Sequence, residues 1–254
     1  MRAVVFQHLV GEGPGLFSDI LARHGIGCEC VHVYKGESLP PLQDFDLMLV
    51  MGSSHQVWQE ADHPWLVNEK AAIRHWVQDL RKPYFGVCFG HQLLAEALGG
   101  EVAPSVEDEL GMLEVVRNEN AAGHPVFSAL APTGRWLQWH TAEVTRPPAS
   151  AQVMASSATC PVQALAVGTH AMSIQFHAEA TMEKVDGWVS MRECVEDMKG
   201  MRGEGAHEHF LAAAHTHLPQ ANSNADALFT RWLEVNGLGS ENIDNLQFGH
   251  SSRG

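Results

Sequence analysis

The sequence predicts an α/β fold of three layers, with helices on both faces of a mostly parallel central sheet, an antiparallel strand extension and C-terminal helices. Three observations carry this. Strand-like and helix-like segments alternate four times between Arg2 and Gly100. From Glu101 to Phe176 the segments become short and strand-rich, divided by Pro and Gly turns. The remainder has helical spacing. Such an alternation places a site at the carboxyl ends of the parallel strands.

Arg2 to Leu9 reads as the first strand. Gly11-Glu12-Gly13-Pro14-Gly15 then leads into a helix whose Leu16, Phe17, Ile20 and Leu21 share one face, closed by Gly25. The loop is glycine-rich but has neither Gly-x-Gly-x-x-Gly nor a Lys-Ser/Thr ending, so a plain loop is expected instead of a phosphate cradle. Cys28 to Tyr34 resembles a second strand, and Cys28-x-Cys30, lacking the two-residue gap of a redox or zinc pair, predicts burial. Asp46 to Met51 is a third, apolar strand running into Gly52-Ser53-Ser54. A helix with Ile73, Trp76, Val77 and Leu80 at helical spacing follows Asp62-His63-Pro64-Trp65. Pro83 to Val87 is a fourth strand, and Leu93 to Leu98 a helix stopped by Gly99-Gly100.

Further strands are expected at Met112 to Arg117, Trp136 to Trp139, Val153 to Ser156, Val162 to Val167 and Met172 to Phe176. Helices are expected at Met182 to Met198, in the His-rich stretch Ala206 to His217, and at Ala225 to Val235. There is no internal repeat and no clear linker, so residues 1–236 read as one domain and 237–254 as a polar, loose tail.

A length of 254 residues and a hydrophobic fraction of 45% suit one large α/β domain and exclude overall disorder. The net charge of −14 comes with no basic stripe, which argues against a nucleic-acid partner. No apolar run is long enough for a bilayer, and Ala3-Val4-Val5-Phe6 stands where a leader would, so a cytoplasmic protein without a membrane partner is expected. The five cysteines are odd in number and show no paired spacing, which predicts thiols.

The chemistry concentrates in Gly86-Val87-Cys88-Phe89-Gly90-His91-Gln92. Cys88 falls on a strand-to-helix turn, with Gly86 and Gly90 leaving room where backbone meets backbone. Such an elbow lifts the sulfur out of the sheet, sets it near a helix N-terminus that favours thiolate, and aims the Phe89 N–H at an incoming oxyanion. A thiol nucleophile needs a base, and the base an orienting group. Among 16 histidines the best candidate is His177, where the apolar Ser173-Ile174-Gln175-Phe176 ends; Glu179, two residues on, points the same way in an extended segment.

These residues resemble the class I, triad-type glutamine amidotransferases. The likeness rests on the elbow, on Gln175-Phe176-His177-Ala178-Glu179, on Met51-Gly52-Ser53-Ser54, and on Glu109-Leu110-Gly111, Trp139-His140-Thr141 and Ser157-Ala158-Thr159-Cys160-Pro161. It runs to about Glu179, and the C-terminal part is similar to that of small members whose chain carries no synthetase domain. The resemblance implies a flavodoxin-like fold with no cofactor and no metal. It implies Cys88 as nucleophile toward the γ-carboxamide of glutamine, His177 as base and then acid, and Glu179 as its orienter. It implies an oxyanion hole from the backbone of Phe89 and of the Gly52-Ser53 turn, and a pocket for the amino-acid head built by Gln92 with backbone near Trp139 and Thr141. A γ-glutamyl thioester would hydrolyse to glutamate, and a separate synthase subunit could accept the ammonia. Three positions depart from the family pattern. Ser53 replaces a glycine and predicts altered or strained backbone, Ala178 replaces a proline, and Thr141-Ala142 stands where an acidic residue is common.

Two other readings compete. The same triad could serve a γ-glutamyl peptide or γ-glutamyl amide hydrolase, or the chain could be a non-catalytic regulatory subunit. A metal site in His207-Glu208-His209 through His215-Thr216-His217 is disfavoured, because two-residue spacing on a helix turns neighbouring histidines to different faces.

Overall fold

The computed structural model describes residues 1–239, and their strands form one nine-stranded sheet. β1 (Arg2–Gln7), β2 (Gly27–His32), β3 (Leu47–Val50) and β4 (Tyr84–Val87) are parallel and alternate with α1 (Leu16–Arg23), α2 (Trp65–Arg74, continued by a π turn over His75–Asp79) and α3 (Phe89–Ala97). The period of two along each strand assigns the faces. Ala3, Val5, Leu47, Leu49, Phe85 and Val87 pack toward α1 and the C-terminal helices. Val4, Phe6, Met48, Val50 and Tyr84 pack toward α2 and α3. Each such Val, Leu, Met or Phe side chain, taken from water to full burial, contributes about 1.5–3 kcal/mol.

The rest of the sheet is β5 (Glu101–Arg117), β6 (Thr133–Arg146), β7 (Gln152–Ser156), β8 (Ala164–Val167) and β9 (Ala171–Ile174), with the short α4 (Glu119–Ala122) between β5 and β6. Strand order is β2-β1-β3-β4-β9-β8-β7-β5-β6. β9 joins β4 in parallel, and every pair beyond it is antiparallel, so the sheet is mixed, with helices on both sides. α5 (Met182–Ser190), α6 (Arg192–Arg202) and α7 (Ala206–Val235) complete the face that α1 begins.

Several boundaries differ from those the sequence predicts. β5 and β6 are 17 and 14 residues long, far beyond the short apolar runs expected there. Their extra length is polar and irregular, with register shifts at Glu101/Val102 and Pro104/Glu109 and Val106 exposed, so it carries no alternation to read. β2 lies at the sheet edge, which leaves Cys28 exposed and Cys30 half-buried against the expectation of burial. The helix expected at 182–198 is broken at Met191, whose ψ of 124° is extended. The two helices expected at 206–217 and 225–235 are one, because Phe210, Ala214, Leu218, Ala221, Ala225, Leu228 and Trp232 form an unbroken buried stripe at three- and four-residue steps that carries the helix through Pro219. The expected tail lies outside the described residues from position 240 onward. Within its first residues, and against the expectation of a loose segment from 237, Leu238 is buried and its N–H closes α7 on Leu233 O at 2.8 Å.

Candidate active site

The carboxyl ends of β1, β3, β4 and β9 converge where the strand order reverses direction between β1 and β3, the crevice in which open α/β sheets bind ligands. Cys88 follows β4 with φ 51° and ψ −100°, a left-handed backbone that L side chains rarely adopt. Steric closure of the elbow explains both flanking glycines. A Cβ on Gly86 would lie 2.7 Å from the Gly90 carbonyl, and one on Gly90 would lie 2.1 Å from Val50 O. The Cys88 N–H donates to Ile174 O at 2.8 Å, fastening the elbow to the end of β9.

Strand β9 stops at Ile174, so His177 and Glu179 meet across a turn and not by the extended alternation expected of them. The contact itself is as anticipated: His177 Nδ1 and Glu179 Oε1 are 2.9 Å apart, and both residues are buried. Gly52, just beyond β3, lies between His177 and the elbow cysteine. A Cβ there would be 3.2 Å from His177 Cε1 and 3.9 Å from Cys88 Cβ, so the two side chains flank one point. Burial alone would lower the His177 pKa, yet the charges and hydrogen bonds of Glu179 and Cys88 raise it well above the ordinary imidazole value. Burial would likewise raise that of Glu179, but Lys184 and His177 overcome it and bring the carboxyl down to about 2.

The other expected residues surround this centre. Phe89 is the first residue of α3, where N–H groups have no partner within the helix. Ser53 has no left-handed backbone, so the strain expected there is absent; its Oγ lies 2.7 Å from His55 Nδ1 and shapes the turn. Gln92 is buried, and its Nε2 donates to Ala142 O and to Gln175 Oε1 at 3.0 and 3.2 Å. Trp139 presents its carbonyl to Cys88 Sγ at 3.9 Å, and Thr141 Oγ1 accepts from Gln56 at 3.3 Å. A cavity of about 90 Å³ opens over Cys88, bounded by Ser53, His55, Gln92, Trp139 and Asp197.

Sequence reasoning missed four contributors. Gln175 Nε2 donates to Cys88 Sγ at 3.6 Å. Asp197 reaches the cavity from α6. Glu12, from the loop read as plain, and Lys184, from α5, form an ion pair of 3.0 Å directly behind His177 and Glu179. Only Gln175 stood in a motif, with no role of its own assigned there; the other three stand in segments with no chemical pattern of their own.

Glu109, His140, Ser157 and Thr159, dispersed in the sequence, form a buried knot under the cavity wall. Glu109 Oε2 lies 2.9 Å from His140 Nε2 and accepts from Gln163 at 2.7 Å, and its Oε1 accepts from Ser157 and Thr159 at 2.5 Å. Burial opposes the ionised form, but these hydrogen bonds prevail and keep the carboxyl below its usual range. His91 is structural as well. Buried and depressed to about 3, it is neutral, donating from Nε2 to Val162 O and accepting the Ser173 hydroxyl at Nδ1.

The donor atoms of Glu12, His177 and Glu179 lie within 4.8 Å of one another, the spacing of a cation site. The Lys184 ammonium, 3.0 Å from both carboxylates, supplies the cation. No other such group of three occurs among the described residues, the α7 histidines included. Nor is any helix among them long and apolar enough to cross a membrane.

The family profile described as glutamine amidotransferase class-I matches residues 21–195. The glutamine amidotransferase-like protein YfeJ of Salmonella typhimurium is 28% identical over 80% of this chain and 86% of its own. A glutamine-hydrolysing GMP synthase subunit of Sulfolobus acidocaldarius is 31% identical over 61% and 78%, and gamma-glutamyl peptidase 4 of Arabidopsis thaliana 30% identical over 66% and 68%. Among solved structures, a glutamine amidotransferase of Thermotoga maritima superposes with a TM-score of 0.81 at 23% identity, covering 92% of this chain and 98% of that one. That likeness concerns the fold.

Proposed function

This chain belongs to the class-I glutamine amidotransferase family, and on that premise we propose that it hydrolyses the γ-carboxamide of glutamine through a γ-glutamyl thioester on Cys88, releasing ammonia and glutamate. The observation that supports this most directly is the seating of His177 between the Cys88 elbow and the buried Glu179 carboxylate. With Nδ1 engaged by Glu179, Nε2 is the nitrogen that exchanges a proton with Cys88 Sγ. The sulfur attacks the γ-carbonyl carbon, and the oxyanion is held by the N–H of Phe89 and by one from Gly52-Ser53, fixed dipoles that need no reorganisation. His177 then protonates the departing nitrogen as the C–N bond breaks. In the second half it takes a proton from water, whose oxygen attacks the thioester and restores the thiol. Trp139 and Thr141 border the amino-acid head with Gln92, whose own amide is held by Ala142 and Gln175.

A second reading keeps the triad and changes the leaving group to a larger amine. The likeness to a gamma-glutamyl peptidase, about as close in identity as that to the GMP synthase chain, favours weighing it. The GMP synthase relatives make a separate ammonia-accepting chain the corresponding partner for the first reading. Intact Cys88, His177 and Glu179 argue against a non-catalytic role.

Intact-protein mass spectrometry after brief exposure to glutamine and to γ-glutamyl dipeptides and amides tests all three. An acyl adduct that disappears in Cys88→Ala supports the chemistry, and comparing ammonia with amine release ranks the substrates. No adduct, together with no labelling of Cys88 by a glutamine-analogue electrophile, removes the catalytic reading.

A further inference from the structure

Behind the His177–Glu179 pair lies a second layer of charge that the mechanism above does not use. Lys184 projects from α5 with its side chain only 8% exposed and its Nζ 3.0 Å from both Glu179 Oε1 and Glu12 Oε2. Glu12 is fixed in turn, its Oε1 accepting from Trp188 Nε1 at 2.7 Å, and the Trp188 ring stands edge-on to His177 with centroids 5.6 Å apart. The glycine loop that carries Glu12 is pressed onto the same segment. A Cβ on Gly15 would sit 2.2 Å from Glu179 O, and the Leu16 N–H donates to that oxygen at 2.9 Å.

The side chains therefore line up as Cys88, His177, Glu179, Lys184 and Glu12, with the ammonium of Lys184 set between the two carboxylates. Two carboxylates this close cannot both remain ionised in a buried site without a cation between them. Resting on the function proposed above, we infer that Lys184 and Glu12 are positioning residues of the thiol–imidazole pair, opposed in sign, that together set the pH range over which Cys88 is a nucleophile. Lys184 keeps Glu179 anionic, and Glu179 keeps the proton on His177. Glu12 caps Lys184, so that the ammonium does not add an uncompensated positive charge. The facing groups are Glu12 from the β1–α1 loop, Glu179 and His177 from the turn after β9, and Cys88 from the elbow; Cys194 of α6 lies near enough to Glu12 to feel its charge.

Alkylation of Cys88 by iodoacetamide, read peptide by peptide against pH, tests this without requiring turnover. Lys184→Met should move the acid limb of the alkylation profile to higher pH and slow the reaction on that limb by roughly 10-fold for each pH unit it moves. Glu12→Gln, which keeps an oxygen for Trp188, should move the limb to lower pH. The double variant should return toward the parent, because the remaining anion, Glu179, is again the sole partner of His177, and Lys184→Arg should stay near it. A packing role alone gives no opposite shifts and no restoration. The inference is overturned by limbs that coincide with the parent, by shifts of one sign in both single variants, or by a double variant no better than the worse single one. Should Lys184→Met fail to fold, the downward shift in Glu12→Gln and the behaviour of the double variant decide. The same profiles stand if the parent hydrolyses no γ-glutamyl compound, an outcome that removes the proposed function and leaves the charge line measured on its own.

Discussion

Cys88 holds a left-handed backbone at φ 51°, and the segments around it are built to keep it there: Gly86 and Gly90 admit the close approach, and the Ile174 carbonyl takes the Cys88 N–H. A residue so placed stores strain, of order 1–3 kcal/mol for a sparsely populated backbone region. Glycine relieves it and alanine does not, so Cys88→Gly should be more stable than Cys88→Ala by about 1 kcal/mol in denaturant melts, while neither forms an adduct. At Glu179 the expected effect is on rate. Glu179→Gln should lower kcat/KM by roughly 10³–10⁴-fold, because an amide cannot hold the His177 tautomer or stabilise the imidazolium. It also changes the pH dependence of stability. The Glu179 carboxyl is depressed to about 2 in the folded protein, so its ionisation stabilises the fold above the ordinary carboxylate range, and this is lost as pH falls toward that value. The stability gap between parent and Glu179→Gln should therefore narrow on acidification, which melts across the acid range will measure.

At the level of elements, what the sequence displays depends on whether an element is buried by one repeating pattern. β3 and β4 are apolar throughout and α3 ends at paired glycines, so their placement follows from residue type alone. α7 conceals its continuity because Pro219 and the polar run around Asn222 resemble a break, although the buried stripe continues past both. α6 was hidden in another way: it reads as the tail of a longer helix, and nothing in Arg192–Arg202 marks Asp197 as a group over the cavity. Every γ-glutamyl substrate carries an α-ammonium away from the reacting amide, and Asp197 is the one acidic side chain bordering the cavity among the described residues. Asp197→Asn should accordingly raise KM for glutamine several-fold, the effect of losing an exposed ion pair of up to about 1 kcal/mol, with kcat little changed. Equal loss with glutaramate, which lacks the α-amino group, would count against that assignment.

The whole molecule joins a parallel half that presents Cys88 to an antiparallel half that supplies the Trp139 wall, and β9 is the strand common to both. Cys88, His177 and Glu179 were legible because elbow and His-x-Glu are local patterns with chemistry written into their spacing. Glu12, Lys184 and Asp197 were not, because each meets the site only through a contact between segments far apart in the chain, which no local pattern records. The Glu109 knot is the clearest case of such a contact, and it ties segments of the antiparallel half to one another. Its carboxylate gathers His140 of β6, Ser157 and Thr159 of the β7–β8 loop, and Gln163 just before β8, while His177 N–H donates to Leu137 O of the same β6 strand at 2.8 Å. Removing the carboxylate takes the acceptor from the buried His140 and Gln163 and from the half-buried Ser157 and Thr159 hydroxyls, and breaking a buried polar pair from one side typically costs about 3–5 kcal/mol. Glu109→Ala should thus lower stability by that order in chemical denaturation. Because His140 adjoins Trp139, it should also raise KM in whatever protein remains folded. The cost should fade in acid, since the depressed Glu109 carboxyl stabilises the parent above the ordinary carboxylate pKa and loses that effect as pH drops through its own. A Glu109→Ala protein as stable as the parent at neutral pH would show that the antiparallel half is held together without the knot.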